Sequence, residues 1–210
     1  MELISEGLAQ AWRMIVGFDP DVWQPAWRSL WFSGVATAAA GMLGIPLAMV
    51  LARRSFVAKP FVLLLFRAGM ALPTVFIGIV GYSLFSRRGP LGPWDLLYTS
   101  SGVVIGEFAL ALPIVVTLSY GALNALDARV AETARTLGAF AIQRGLTYVS
   151  EARAGIALAV LTAFSRCLTE LGIAMMVGGN LKGQTRTLST ATALETSKGE
   201  LGRGFALGMI

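Results

Sequence analysis

The sequence predicts an all-α, polytopic transmembrane helical bundle, on the evidence of its composition and its long apolar stretches. Of the 210 residues, 55% are hydrophobic and 14% are charged, whereas about a quarter of the residues of a soluble domain are charged. Since about 20 apolar residues cross a bilayer as a helix, we expect a membrane helix in each of the stretches 29–52, 60–85, 101–126 and 154–181. A further apolar run begins at residue 204, so about five membrane helices are expected, the last one incomplete in this chain.

The residue types that the sequence lacks argue against an enzyme. It has no histidine, so the commonest general base and the commonest transition-metal ligand are missing together. Its single cysteine, Cys167, lies inside an apolar stretch and has no partner for an intramolecular disulfide. No aspartate lies within the four stretches, which excludes an intramembrane aspartyl pair. We therefore expect a chain with no catalytic residues, no metal site and no cofactor.

The first 26 residues are predicted to form an external amphipathic segment ahead of a transmembrane domain in residues 27–210. Apolar side chains recur there at spacings of three and four, which indicates a helix lying along the membrane surface; they are Leu3, Ile4, Leu8, Trp12 and Ile15. Asp19-Pro20 ends this helix, and the tryptophans that follow are typical of a membrane interface; they are Trp23, Trp27 and Trp31.

The distribution of basic residues predicts the topology. Lysines and arginines are denser in the first and third loops, at Arg53, Arg54, Lys59, Arg129, Arg135, Arg144 and Arg153, than on the other side of the membrane. Loops rich in basic residues stay in the cytoplasm, so the amino terminus is expected outside and the third loop inside. The same effect accounts for the net charge of +5, and we expect no nucleic-acid partner.

Prolines lie inside the first three apolar stretches, at Pro46, Pro73 and Pro113. In a helical bundle they usually mark kinks, and neighbouring groups satisfy the carbonyls that a kink frees. Two interpretations stay open: simple packing geometry, or hinges that line a pathway.

A helix–glycine–helix hairpin is predicted for residues 127–150, between the third and fourth stretches. Asp127 can cap a helix that begins at residue 128, and Gly138 suits the left-handed position that ends it. Within that helix, Val130, Ala134 and Leu137 share one face. A second short helix is expected over residues 139–149. Such a hairpin offers an apolar face on which a soluble partner could dock.

The hairpin resembles the EAA loop of binding-protein-dependent ABC importer permeases, which reads Glu-Ala-Ala, three residues, then Gly. This chain has Glu132, Thr133, Ala134 and Gly138, and lacks the usual Ile-x-Leu-Pro at its end. The similarity continues through several short motifs, and with them the chain resembles the permeases of tungstate importers, and less closely those for molybdate and sulfate. The motifs are Glu151-Ala152-Arg153, Phe164-Ser165-Arg166, Glu170-Leu171-Gly172, Met175–Asn180, Thr185–Leu188 and Leu194–Gly199.

The resemblance implies a set of partners and a division of labour. Two permease copies would span the cell (inner) membrane, receive an oxyanion from an external binding protein, and be driven by two ABC ATPase subunits in the cytoplasm. It places the contact with the ATPase on the hairpin, at Glu132, Ala134, Arg135, Leu137 and Gly138. The lysines, Lys59, Lys182 and Lys198, do not follow a glycine, so this chain has no Walker A loop. Tungstate is the expected substrate, with molybdate or sulfate, or an ATP-independent channel, as alternatives.

Charged residues in and near the fourth stretch are the candidates for the substrate pathway. Arg166 and Glu170 share a helix face and form either a structural ion pair or part of an oxyanion path, for which Arg166 is the better candidate. Thr185 and Arg186 follow on the outer side, where hydroxyls and a cation suit an oxyanion, or else contact the binding protein. Arg67 and Glu107, inside the second and third stretches, are expected to be structural.

Overall fold

Every regular element in the computed structural model, among the residues that it describes, is a helix, which confirms the all-α class. The structure describes residues 2–127, 129–130, 133, 136 and 138–210, with side chains from residue 5 onward. A 3₁₀ turn spans Gly92–Trp94. The α-helices in that part of the chain are α1 (Glu2–Val16), α2 (Pro20–Arg53), α3 (Lys59–Ala71), α4 (Thr74–Phe85), α5 (Ser100–Asn124), α6 (Ala141–Glu151), α7 (Arg153–Leu168), α8 (Gly172–Met176), α9 (Leu188–Ser197) and α10 (Leu201–Met209).

In the part of the chain that the structure describes, fewer helices than the expected five are long enough to cross a membrane unbroken. Within the described residues, α2 and α5 have both the length and the hydropathy of a span. The pair α3 and α4 adds a third if it is counted as one span, although it is bent by 100° at its break. The fourth expected stretch is divided into α7 and α8, and α10 is a nine-residue helix.

The three prolines behave differently from one another. Helices α2 and α5 run on through Pro46 and Pro113, whereas α3 ends just before Pro73 and α4 begins just after it. Leu72 is extended there, with ψ of 133°, because a proline ring disfavours helical backbone in the residue before it. Pro73 is therefore the proline that breaks a predicted span.

The break in the fourth stretch has no proline; instead, a side chain bonds to the backbone there. The Ile173 amide donates to Glu170 Oε1 at 2.9 Å, so a carboxylate replaces a helix carbonyl as its acceptor. Helix α8 then packs closely on α4, because Gly78 leaves room for it: a Cβ on Gly78 would lie 2.9 Å from the Gly172 carbonyl oxygen. The break thus lets a short helix approach its neighbour backbone to backbone.

Tertiary contacts divide the chain into two compact units. The first comprises Met1–Ala36, Pro73–Ala109 and Arg166–Ile210, and the second comprises Thr37–Leu72 and Leu110–Ser165. One core of the first unit contains Ala11, Val22, Ala191, Ala206 and Leu207, and another contains Phe32, Val103 and Ala174. The core of the second unit contains Ala48, Leu123, Tyr148, Ala152 and Ile156.

Helix α1 packs on α10 partly through small residues and keeps some of its large apolar side chains exposed. Ala11 is fully buried, and a Cβ on Gly7 would lie 3.1 Å from the Phe205 ring. By contrast, Leu8 is 43% exposed and Trp12 is 62% exposed. An exposed apolar stripe of this kind is what a helix lying at a membrane surface presents to lipid.

Candidate functional site

The first half of the hairpin begins with the helix cap that the sequence predicts. Asp127 Oδ1 accepts the Arg129 amide at 2.9 Å, and Asp127 Oδ2 accepts the Arg129 side chain at 2.7 Å. The Arg129 side chain, and then its amide, hold the pKa of Asp127 below its ordinary value of 3.8. Gly138 has φ of +73°, which confirms the predicted left-handed residue. The other candidate coupling residues, Glu132, Ala134, Arg135 and Leu137, lie outside the described residues.

The second half of the hairpin, α6, begins and ends close to the predicted helix. Its first turn is closed by the Gln143 side chain, whose Oε1 accepts the Phe140 amide at 2.8 Å. Three large apolar side chains near this end point into solvent: Phe140 is 77% exposed, Ile142 is 79% exposed and Leu146 is 65% exposed. We call these three residues the α6 patch. A cluster of exposed apolar residues at this position is typical of a surface that binds another protein.

The opposite side of α6 is fixed to the core of the second unit by Tyr148. Tyr148 is 7% exposed and packs with Leu123 and Ala152. The guanidinium of Arg53 lies 4.0 Å from the centre of the Tyr148 ring, and its Nη2 donates to the Leu123 carbonyl oxygen at 3.2 Å. Helix α6 is therefore held by a buried aromatic ring and a cation while the α6 patch stays exposed.

A groove of about 470 Å³ lies beside these elements. Its walls come from both halves of the hairpin, and its polar lining includes Asp127, Arg129, Thr147 and Glu151. The groove carries charges of both signs and adjoins a hairpin with an exposed apolar patch. Together they provide shape, charge and apolar area for a protein partner, which is the combination found at interface cores and rims.

Arg166 and Glu170 form an ion pair, with Arg166 Nη1 lying 3.2 Å from Glu170 Oε2. The two side chains differ in environment, because that of Glu170 is completely buried and that of Arg166 is 42% exposed. Glu170 also accepts the Ile173 amide, so it joins the end of α7 to α8. The structure thus gives Glu170 a packing role and leaves part of the Arg166 guanidinium accessible.

Thr185 and Arg186 belong to the loop between α8 and α9, and their polar atoms bond within it. Thr185 Oγ1 donates to the Gly178 carbonyl oxygen and accepts the Leu181 amide at 3.0 Å. Arg186 Nε donates to Asn180 Oδ1 at 3.1 Å. These bonds hold a tight turn in which Asn180 has φ of +51°. Contact of either residue with substrate or binding protein stays a prediction.

Sequence reasoning missed the α6 patch and the Arg53–Tyr148 contact. The four-residue spacing of Ile142 and Leu146 in a short amphipathic helix is a signal that could have found the patch. Arg53 and Tyr148 are far apart in the chain, and no local pattern in the sequence connects them.

Comparison with known proteins assigns the family. No protein-family model matches the chain. It is 35% identical over 210 residues to the tungstate uptake system permease protein TupB of Peptoclostridium acidaminophilum, covering 100% of this chain and 92% of the relative. It is 34% identical to TupB of Campylobacter jejuni, covering 100% and 88%. It is 36% identical over 187 residues to a probable anion ABC transporter permease of Haloferax volcanii, covering 87% and 81%.

More distant relatives in Escherichia coli are the molybdenum transport system permease protein ModB, 30% identical over 88% of this chain, and the sulfate transport system permease protein CysT, 29% identical over 90%. These relatives are named as permeases of tungstate, anion, molybdenum and sulfate transport, and α2 and α5 of this chain have the length and hydropathy of a membrane span. The chain therefore belongs to the family of anion ABC transporter permeases, and it is a membrane-embedded transport subunit.

Proposed function

We propose that this chain is the permease subunit of an ATP-driven importer that carries tungstate across the cell (inner) membrane. The observation that carries the proposal is identity of 34–35% to two tungstate uptake permeases along the whole of this chain. In this proposal, two copies form the pathway, an external binding protein delivers the oxyanion, and separate ABC ATPase subunits hydrolyse ATP.

The hairpin is the proposed contact with the ATPase. The α6 patch exposes three large apolar side chains, while Tyr148 and Arg53 attach α6 to the core of the second unit from the other side. A rigid element transmits displacement better than a loose one, so closure of the ATPases can shift the permease between two packings. Glu132, Ala134, Arg135, Leu137 and Gly138 are the proposed coupling residues in the first half of the hairpin.

Arg166 is the proposed pathway cation, supported by Glu170. Arg166 keeps part of its guanidinium accessible while Glu170 fixes its position, and a half-exposed cation inside an apolar stretch is a functional candidate. Thr185 and Arg186 are proposed to shape the outer end of the path through the turn that they stabilise. Because tungstate, molybdate and sulfate are all tetrahedral oxyanions, molybdate or sulfate is the alternative substrate, favoured by the relatives that carry those anions.

Uptake by the complete importer tests the proposal. The permease, with its ATPase and binding protein, is placed in proteoliposomes, and tungstate inside the vesicles is measured with and without ATP. We expect ATP-dependent accumulation, with molybdate and sulfate competing weakly. A matched assembly with an inactive ATPase should show none. Accumulation of molybdate or sulfate in preference to tungstate would reassign the substrate, and flux without ATP would identify a channel instead.

A further inference from the structure

A buried carboxylate in the first unit lacks the partners that such a group needs. Glu107, in α5, is 1% exposed, and its Oε2 has no hydrogen-bond partner among the described residues. Beside it lies Ser33 of α2, which is completely buried and whose Oγ is likewise unpartnered in that part of the chain. A buried carboxylate oxygen without a partner is costly if the group is ionised, so the charge state of Glu107 is the property to explain.

Among the described residues, the surroundings of Glu107 supply a second negative charge and no cation within ion-pair distance of it. Glu170 lies near enough for its charge to act on Glu107, and Cys167 Sγ contacts the Glu107 carbonyl oxygen at 3.5 Å. Among the residues that the structure describes, the ion pairs within 4.0 Å do not include Glu107, and the nearby cation, Arg166, is paired with Glu170. Two carboxylates and one arginine therefore leave one negative charge uncompensated in an apolar stretch.

An ionised carboxylate without a cation is costly to bury, and such a group is neutralised instead. We propose that Glu107 is a proton-binding site: it takes one proton from water and, as a neutral carboxylic acid, donates a hydrogen bond to Ser33 Oγ. One proton makes the set of Arg166, Glu170 and Glu107 electrically neutral. A sodium ion is a poorer fit, because it would require more oxygen ligands than this pair presents.

The proton has a consequence for transport, which rests on the proposed function. A protein that passes an oxyanion gains when no further, unpaired negative charge lies near its pathway cation, since like charges repel strongly in a medium of low dielectric constant. Glu107 would then act as a neutral hydrogen-bond donor that positions α5 against α2, and Glu170 would act as the ionised carboxylate.

Infrared spectroscopy on the assembled importer tests the site directly. Protein labelled with ¹³C-glutamate should show, at neutral pH, the carbonyl-stretch band of a protonated carboxylic acid. Glu107→Gln should abolish the band, whereas Glu170→Gln and the exposed control Glu200→Gln should retain it. Absence of the band from the unsubstituted protein, or its loss in Glu170→Gln instead, would overturn the proposal, and this readout is independent of which anion is carried.

Two further measurements distinguish a bound proton from a bound sodium ion and from an ionised carboxylate. Glu107→Gln, a neutral isostere, should keep the thermal stability and ATP-dependent uptake of the unsubstituted importer, whereas Glu107→Lys should abolish both. Replacing sodium by N-methylglucamine should leave the unfolding temperature unchanged. A fall in that temperature that is absent from Glu107→Gln would identify a bound sodium ion and refute the proton. Loss of uptake in Glu107→Gln would show that the carboxylate works in its ionised form.

Discussion

The guanidinium of Arg53 lies 4.0 Å above the ring of Tyr148 and joins the end of α2 to α6 within the second unit. Tyr148 is almost completely buried, and Arg53 Nη2 also donates to the carbonyl oxygen of Leu123. A cation–π interaction is stronger when the cation and the ring are partly desolvated than when both lie at an open surface. This contact fixes the proposed coupling element to the membrane helices.

Truncation of the Tyr148 ring should loosen this attachment. Tyr148→Ala removes a buried aromatic side chain and its contact with Arg53, and we expect a loss of about 3 kcal/mol or more in the free energy of unfolding. Tyr148→Phe keeps the ring and should behave like the unsubstituted protein. Thermal unfolding in detergent measures both variants. Equal stability of the two would show that the ring does not anchor α6.

The α6 patch should be needed for binding the ATPase and dispensable for folding. Ile142→Ser with Leu146→Ser removes apolar side chains that are 79% and 65% exposed, so little packing within the chain is lost. We expect the ATPase to dissociate during purification and ATP-dependent uptake to disappear, with the unfolding temperature unchanged. Ser150→Ala, an exposed change on the same helix, is the control. An intact complex in the double variant would place the ATPase contact elsewhere.

Gly138 should tolerate asparagine better than valine. Its φ of +73° lies in the left-handed region, and a Cβ there would meet nothing within 4 Å, so any effect comes from the backbone. A β-branched residue in that conformation costs on the order of 1–2 kcal/mol, whereas asparagine adopts it readily. We expect Gly138→Val to lower uptake strongly and Gly138→Asn to lower it slightly.

The companion test in the same loop is Glu132→Ala, at a coupling residue outside the described residues. It should abolish uptake while membrane insertion, followed by fractionation, stays normal. Full uptake in both Glu132→Ala and Gly138→Val would remove the hairpin from the coupling mechanism.

The pair formed by Arg166 and Glu170 should respond asymmetrically to substitution. Arg166→Ala leaves a completely buried carboxylate without its cation, which typically costs about 3–5 kcal/mol. Glu170→Gln leaves an arginine that is already 42% exposed, and the amide oxygen can still accept the Ile173 amide. We expect Arg166→Ala to lower the unfolding temperature far more than Glu170→Gln. A larger fall in the unfolding temperature for Glu170→Gln would mean that Arg166 depends on Glu170 more than Glu170 depends on Arg166.

Close packing of α4 on α8 should make Gly78 sensitive to a single added carbon. A Cβ there would lie 2.9 Å from the Gly172 carbonyl oxygen, and the backbone must move to relieve the contact. Gly78→Ala should therefore destabilise the first unit, by about 1–3 kcal/mol as overpacking typically does. Gly34→Ala, where a Cβ would meet nothing within 4 Å, is the matched control. Thermal unfolding of both variants measures the difference.

Local signals in the sequence were accurate where a feature depends on a few neighbouring residues. The cap at Asp127 and the left-handed turn at Gly138 were both predicted, because each depends on the chemistry of one side chain and the backbone next to it. The identity of the proline that breaks a helix was not predictable in the same way. Pro46 and Pro113 lie within continuous helices, because neighbouring groups in a bundle can accommodate a proline.

Apolar length and charge distribution were enough to identify an α-helical membrane protein, since these two properties decide which segments can enter a bilayer. Which polar residues are paired, and which are buried without a partner, became visible only once the helices were packed. Arg53 contacts the Tyr148 ring, and Ser33 lies beside Glu107, across long separations in the chain. Such partnerships depend on how helices pack, and packing arises from many side chains at once, so no local pattern contains it.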